Sequence, residues 1–426
     1  MAMTIKDSGK WQLAIVSQGF WSGTSFLVAM YLARHLSVEE FGLFAIFMAG
    51  KLFFVSILGA LIITPLTVIC GQTTDQVLRQ QTLQAAIAVV QLVVVVLMVP
   101  ILIFVLWRWN QIVFTSSIFV LGGMTIELQR RINFIHGATH RDLVGGVWNL
   151  GGSLAVLAAL RSLDLLNLSN VLVSLGFIGL TWAIRSDWAH WVSVPPSNCL
   201  TVVREFWRIG RWGIGSNLLG YVYNQASTFL TLGLIGTSGV ATLELGRQLV
   251  AFVQIIMSGM ANLWHPKLAL IAKKDLPELF VSEIWRVTRI QTVVGTVLIF
   301  ISALASPYIL PLVVPGKEQS YSMVPSVAWI LGCAIVFQLL WQHPSFGVIA
   351  LGKPNYGFLT KVIVAGLSIP AGYVLTSVFG VVGAAWSRVL AELLIFSVSV
   401  LAMYRVANLR ANTRMHLLQD LPAQRG

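Results

Sequence analysis

Three basic side chains, Lys51, Arg247 and Arg388, fall inside apolar stretches where a charge has no bulk water around it. Such charges are costly in a bilayer and call for a partner or a role. An ammonium or guanidinium held at depth suits an anionic group such as a phosphate. Lys51 sits about 15 Å into its stretch at 1.5 Å per residue, Arg388 at a similar depth, and Arg247 about two turns from one end. A purely structural reading stands beside this one. Arg388 and Glu392 are spaced i, i+4, and Glu244 and Arg247 i, i+3, which suits ion pairs within one helix. Arg247 can also snorkel outward. Lys51 has no acidic residue within a helical turn of it.

Polar side chains recur near these cations at helical spacing. Gln18, Ser22 and Ser25 follow i, i+4, i+7, and so do Asn217, Tyr221 and Asn224, with Gln225 and Thr228 extending that stripe. Arg247, Ala251, Gln254 and Ser258 share one helical face. These faces would line a wet cavity or bond helix to helix, since polar residues serve both ends in membranes. Lys51, Arg247, Arg388, Gln18, Asn217, Tyr221, Asn224 and Gln254 are therefore the candidate cargo-binding set. Glu244 and Glu392 are the candidates for ion coupling. Glu127 stands beside Arg130 and Arg131 and reads as an interfacial salt bridge.

The elements that must carry these residues are membrane spans. The chain has 426 residues, 57% hydrophobic and only 10% charged. A soluble domain carries about 25% charged residues, so lipid must be the solvent. Apolar runs of spanning length lie near 11–32, 41–64, 82–106, 112–128, 143–160, 169–184, 210–233, 240–262, 290–314, 323–343, 357–377 and 379–403. These are spans 1 to 12. The net charge of +12 is concentrated at span ends and does not suggest nucleic acid. With the N-terminus inside, the outer loops hold only Arg34, Arg108, Arg161 and Lys317, and the other Lys and Arg outside the spans fall in inner segments. This bias places both termini of a multi-pass inner-membrane protein in the cytoplasm.

The expected fold is all-α and polytopic, with about twelve transmembrane helices in two pseudo-symmetric six-helix bundles. Its parts are a first bundle over 1–195, a linker with an amphipathic helix over 196–209, a second bundle over 210–403 and a tail over 404–426. Pro195-Pro196 marks the linker, and Phe206 and Trp207 against Arg204 and Arg208 suit a helix on the membrane surface. The polar triplets of spans 1 and 7 recur at matching places, as do the prolines ending spans 2 and 8 (Pro65, Pro266). A duplicated even-numbered unit gives a parallel repeat with the site between halves.

Chemistry-bearing motifs are lacking. There is no phosphate-binding loop, so ATP does not drive a pump within this chain, and no HExxH or GxSxG. Cys70, Cys199 and Cys333 are far apart, and His136 and His140 have no third ligand nearby, so neither a metal nor a cofactor is expected.

Residues 32–43, Leu-Ala-Arg-His-Leu-Ser-Val-Glu-Glu-Phe-Gly-Leu, resemble the first outer loop of bacterial polysaccharide flippases. The stretch Arg247–Leu268, ending Trp-His-Pro-Lys-Leu, resembles the eighth helix of that family, and Gln129–Arg141 its segment between the fourth and fifth. The family sits in the superfamily of multidrug, oligosaccharidyl-lipid and polysaccharide exporters. The resemblance implies two six-helix bundles forming a V around a cavity lined by helices 1, 2, 7 and 8. It implies an undecaprenyl-diphosphate-linked oligosaccharide as cargo, moved between leaflets, with membrane lipids and polysaccharide polymerase or export machinery as partners. Lys51 and Arg247 fall on the helices that hold cationic cavity residues in that family; Arg388 matches less directly. Two rival functions remain. One is a cation-coupled multidrug extruder, whose branch relies more on acidic cavity residues. The other is a membrane-embedded glycan polymerase or ligase, which usually needs a large outer loop that this chain lacks.

Overall fold

The computed structural model describes residues 5–63, 65, 111–135, 138–185, 196–273, 277–351 and 353–419. Among these the chain is helical, without strands. The helices are α1 (Ile5–His35), α2 (Val38–Leu58), α3 (Gln111–Ile135), α4 (Thr139–Ser162), α5 (Leu168–Arg185), α6 (Pro196–Leu234), α7 (Thr237–Lys273), α8 (Pro277–Val313), α9 (Val324–Ala350) and α10 (Pro354–Gln419). Eleven of the twelve expected spans fall on them, and span 3 lies outside the described residues. Spans 11 and 12 share α10, which breaks at Gly380 with φ 59° and ψ −138°, a conformation open mainly to glycine. Among the described residues six stretches are long and apolar enough to cross a bilayer: Val38–Ile63, Gln111–Asn133, Thr139–Ser162, Leu279–Val313, Val324–Ala350 and Asn355–Leu409. Their outward faces are apolar too. Val293, Val297, Phe300, Ile301 and Leu304 are all exposed on α8, which suits lipid and not water. The protein is a multi-pass membrane protein.

The chain divides into two compact units, Met1–Tyr221 and Val222–Gly426, with the boundary inside α6. The amphipathic stretch over 196–209 and span 7 are carried by one continuous helix, α6. In the first unit α1 packs on α4 and α3 on α5. The α3–α5 contact is backbone-close: a Cβ on Gly122 would lie 2.3 Å from the Gly176 carbonyl oxygen, so small residues are required there. In the second unit Gly372 of α10 meets Leu230 of α6, and Phe337 of α9 meets Phe396 of the later part of α10. Each unit thus pairs its first span with its fifth and its fourth with its sixth.

Local chemistry explains how α2 begins and ends. Ser37 caps it: the Glu40 amide donates to Ser37 Oγ at 3.1 Å and the Ser37 amide to Glu40 Oε2 at 3.2 Å. Leu36 and Phe41 flank this capping box and are both buried, the positions of a hydrophobic staple. At the other end the helix widens into a π turn over Gly59–Ile63. Pro65 follows it and cannot donate to the carbonyl four residues back.

Candidate functional site

A cavity of about 260 Å³ lies within the first unit, walled by α1, α2, α3 and α4 with Leu175 from α5. Its polar lining is Gln18, Ser22, Thr24 and Ser25 from α1, Lys51 from α2, Glu127 and Arg130 from α3, and Asn149 and Ser153 from α4. Lys51 Nζ stands 4.6 Å from the centre of the Phe119 ring. Among the described residues no carboxylate lies within ion-pair distance of it. The cavity therefore presents one cation without an anionic partner there.

The cavity is also lined by a polar network that sequence reading only half anticipated. Arg130 pairs with Glu127 at 3.2 Å, and Arg131 pairs with the same carboxylate at 2.8 Å, the salt bridge expected from their spacing. Arg130 also donates to Gln18 Oε1 at 2.7 Å, approaches Asp142 at 3.6 Å, and covers the Trp21 ring at 4.9 Å. Asp142 is fully buried and accepts from Ser17 Oγ, while Trp21 Nε1 donates to its backbone oxygen at 3.3 Å. Gln18 in turn donates to Ser22 Oγ at 3.2 Å. One guanidinium thus ties α1, α3 and α4 together beside the cavity. Asp142 was missed because it precedes span 5 by one residue and reads as a loop charge. An acid in a first helical turn also needs no special explanation.

The remaining candidates are distributed differently. Asn217 Nδ2 donates to the Ser56 carbonyl at 3.4 Å, and the Tyr221 hydroxyl to the Ala49 carbonyl at 2.9 Å, with its ring 5.0 Å from Phe53. Both tie α6 to α2 within the first unit. In the second unit Gln254 Nε2 donates to Gln338 Oε1 at 2.6 Å. Arg247 pairs with Glu244 at 2.6 Å, and Gln248 donates to the same carboxylate at 2.6 Å. Arg388 pairs with buried Glu392 and donates to the Asn224 carbonyl at 3.3 Å. Trp341 Nε1 donates to Glu392 at 2.6 Å. Lys51 and Gln18 thus meet in one cavity, Arg388, Glu392 and the Asn224 backbone form a second cluster, and Arg247 with Glu244 a third.

No protein-family model matches the chain, and no curated protein matches it. Solved structures do. An inward-facing multidrug resistance MATE family transporter of the MOP superfamily is 13% identical with TM-score 0.72, covering 97% of this chain and 97% of its own. An outward-facing MATE family transporter of that superfamily is 11% identical with TM-score 0.66, covering 94% and 95%. A mutant of the Vibrio cholerae MATE transporter VcmN is 15% identical with TM-score 0.60, covering 94% and 98%. The fold of this chain is that of MATE transporters.

Proposed function

We propose that the chain is a membrane transporter that exports its cargo by alternating access. The observation that carries this reading is the fold, which aligns over nearly the whole chain with both an inward-facing and an outward-facing transporter. Switching between two such states moves cargo without covalent chemistry.

For the cargo, a neighbour named as a multidrug resistance transporter supports multidrug extrusion, which we take to be cation-coupled, over the glycan reading. A fold does not by itself fix what is carried. Translocation of an undecaprenyl-diphosphate-linked oligosaccharide for surface polysaccharide is the second reading. One observation supports it: Lys51 on the cavity wall without a carboxylate partner among the described residues. Such a cation attracts a diphosphate and repels a cationic drug.

Transport by the purified chain in proteoliposomes tests both readings. An extruder should move ethidium under an imposed proton or sodium gradient. A flippase should move a fluorescent prenyl-diphosphate disaccharide between leaflets, read with an impermeant quencher. If neither probe moves under any gradient, the exporter reading is wrong.

A further inference from the structure

We infer that Gly123 and Phe119 of α3 are positioning residues for Lys51: the missing Cβ at 123 opens a slot for the lysine stem, and the ring at 119 holds its ammonium on the cavity wall, where it meets an anionic group of the cargo. The inference rests on the exporter reading and goes further, since it assigns a charge preference to the first unit and names what enforces it.

Two adjacent glycines on α3 do different work. Gly122 faces the α5 backbone at Gly176, whereas Gly123 faces Lys51. A Cβ built on Gly123 would lie 2.5 Å from Lys51 Cδ and 2.8 Å from Cγ. These are atoms of the middle of the stem. An alanine there cannot be absorbed by a small shift of the tip; the side chain must swing and carry its ammonium with it. Phe119 lies one turn before Gly123 on the same helical face and also lines the cavity. Its ring packs against Phe44 of α2, 6.1 Å away between centroids. The face of an aromatic ring attracts a cation and partly replaces lost water. It leaves the donors of the ammonium unused, as a carboxylate would not. The result is a cation held in place and still available to a ligand.

The test uses the purified full chain in detergent, with farnesyl diphosphate, inorganic pyrophosphate and ethidium as probes, at several salt concentrations. Wild type should bind farnesyl diphosphate more weakly as salt rises, because screening weakens a charge contact. Lys51→Gln should weaken binding about tenfold, the scale of one charged hydrogen bond, and flatten the salt dependence. Gly123→Ala should weaken it about fivefold and flatten the salt dependence too, which a purely structural defect would not do. Phe119→Leu keeps the bulk, removes the ring face, and should weaken binding about threefold. The Lys51→Gln, Gly123→Ala double variant should bind like Lys51→Gln alone, since residues acting through one another are not additive. If the two single effects multiply instead, Gly123 does not act through Lys51 and the inference falls. If Gly123→Ala does not fold, the combination of Phe119→Leu with Lys51→Gln decides by the same rule. Pyrophosphate binding as tightly as the farnesyl compound assigns the anion to a free phosphate compound, and a preference for the prenylated one assigns it to a lipid headgroup; either supports the inference. A wild type that prefers ethidium, or binds no anionic probe, overturns it. Ethidium transport in proteoliposomes would still uphold the exporter reading, so the two fail separately.

Discussion

Lys51 in the first unit is held in the opposite way to Arg247 and Arg388 in the second. In the second, Arg247 and Arg388 each pair with a carboxylate of their own helix, at the i, i+3 and i, i+4 spacings visible in the sequence. In the first, Lys51 has an aromatic ring and a slot in the neighbouring helix, and among the described residues no carboxylate. A paired cation in lipid is largely neutral to its surroundings and serves packing. An unpaired one keeps its field for whatever enters the cavity. On the exporter reading proposed above, the contrast assigns charge-based cargo recognition to Lys51 in the first unit and a structural part to Arg247 and Arg388 in the second. It can be broken most easily where its energies are largest.

Glu392 carries the largest expected effect. It is 1% exposed and holds both Arg388 and the Trp341 indole. Glu392→Ala leaves a partly buried guanidinium and a partly buried indole N–H without their acceptor, and should cost about 3 kcal/mol in stability, the low end for a broken buried pair. Arg388→Met should cost a similar amount by stranding the carboxylate. The pair Arg388→Met with Glu392→Leu should lose less than either change alone, because a matched apolar pair needs no solvation. Melting in detergent followed by tryptophan fluorescence measures all three. If both singles melt like wild type, the pair is not structural, and Arg388 becomes a candidate for touching cargo.

Arg247 comes next. Its guanidinium is 38% exposed but its partner Glu244 only 7%, so Arg247→Ala should cost about 1–2 kcal/mol, between the exposed and buried limits. Gln248 still donates to the carboxylate, which softens the loss. Anion binding should be unchanged. If it collapses as expected for Lys51→Gln, the asymmetry is wrong and Arg247 also acts on the anion.

Ser37→Ala is the control for stability alone. Removing a capping hydroxyl costs about 1 kcal/mol, and melting should fall accordingly while probe preference stays as in wild type. It also shows what was legible in the sequence. The Leu-Ser-x-x-Glu-Phe string that suggested polysaccharide flippases is a capping box with its staple, Ser37 to Glu40 and Leu36 to Phe41. It specifies how a helix begins and not what a transporter carries. The resemblance drawn from it implied a fold that MATE transporters share, and a lipid-linked glycan cargo that a capping motif does not encode. Apolar run length located the helices, because lipid forces backbone bonding to be local. The intrahelical pairs were legible because their spacing is fixed by one helix. The Asp142 network and the Gly123 slot were not. Each joins residues of different helices, Ser17 to Asp142 and Lys51 to Gly123, and no periodicity within one helix encodes which neighbour it will face.

Lys51 should give the smallest stability change and thus the sharpest contrast. Lys51→Met keeps the unbranched stem that lies across Gly123 and deletes only the charge. No carboxylate is stranded among the described residues, and the desolvation of a cation in an apolar setting is relieved. The cation–π attraction that disappears with the charge is worth about 0.5–2 kcal/mol, of the same order as the relief. The two effects oppose each other, so melting should stay within about 1 kcal/mol of wild type, where Arg388→Met falls by several. Farnesyl diphosphate binding should nevertheless drop about tenfold, equivalent to about 1.4 kcal/mol. A Lys51→Met protein that melts as low as Arg388→Met would mean that Lys51 also has a buried anionic partner. The two units would then hold their cations alike, and the cavity would have no free charge with which to choose its cargo.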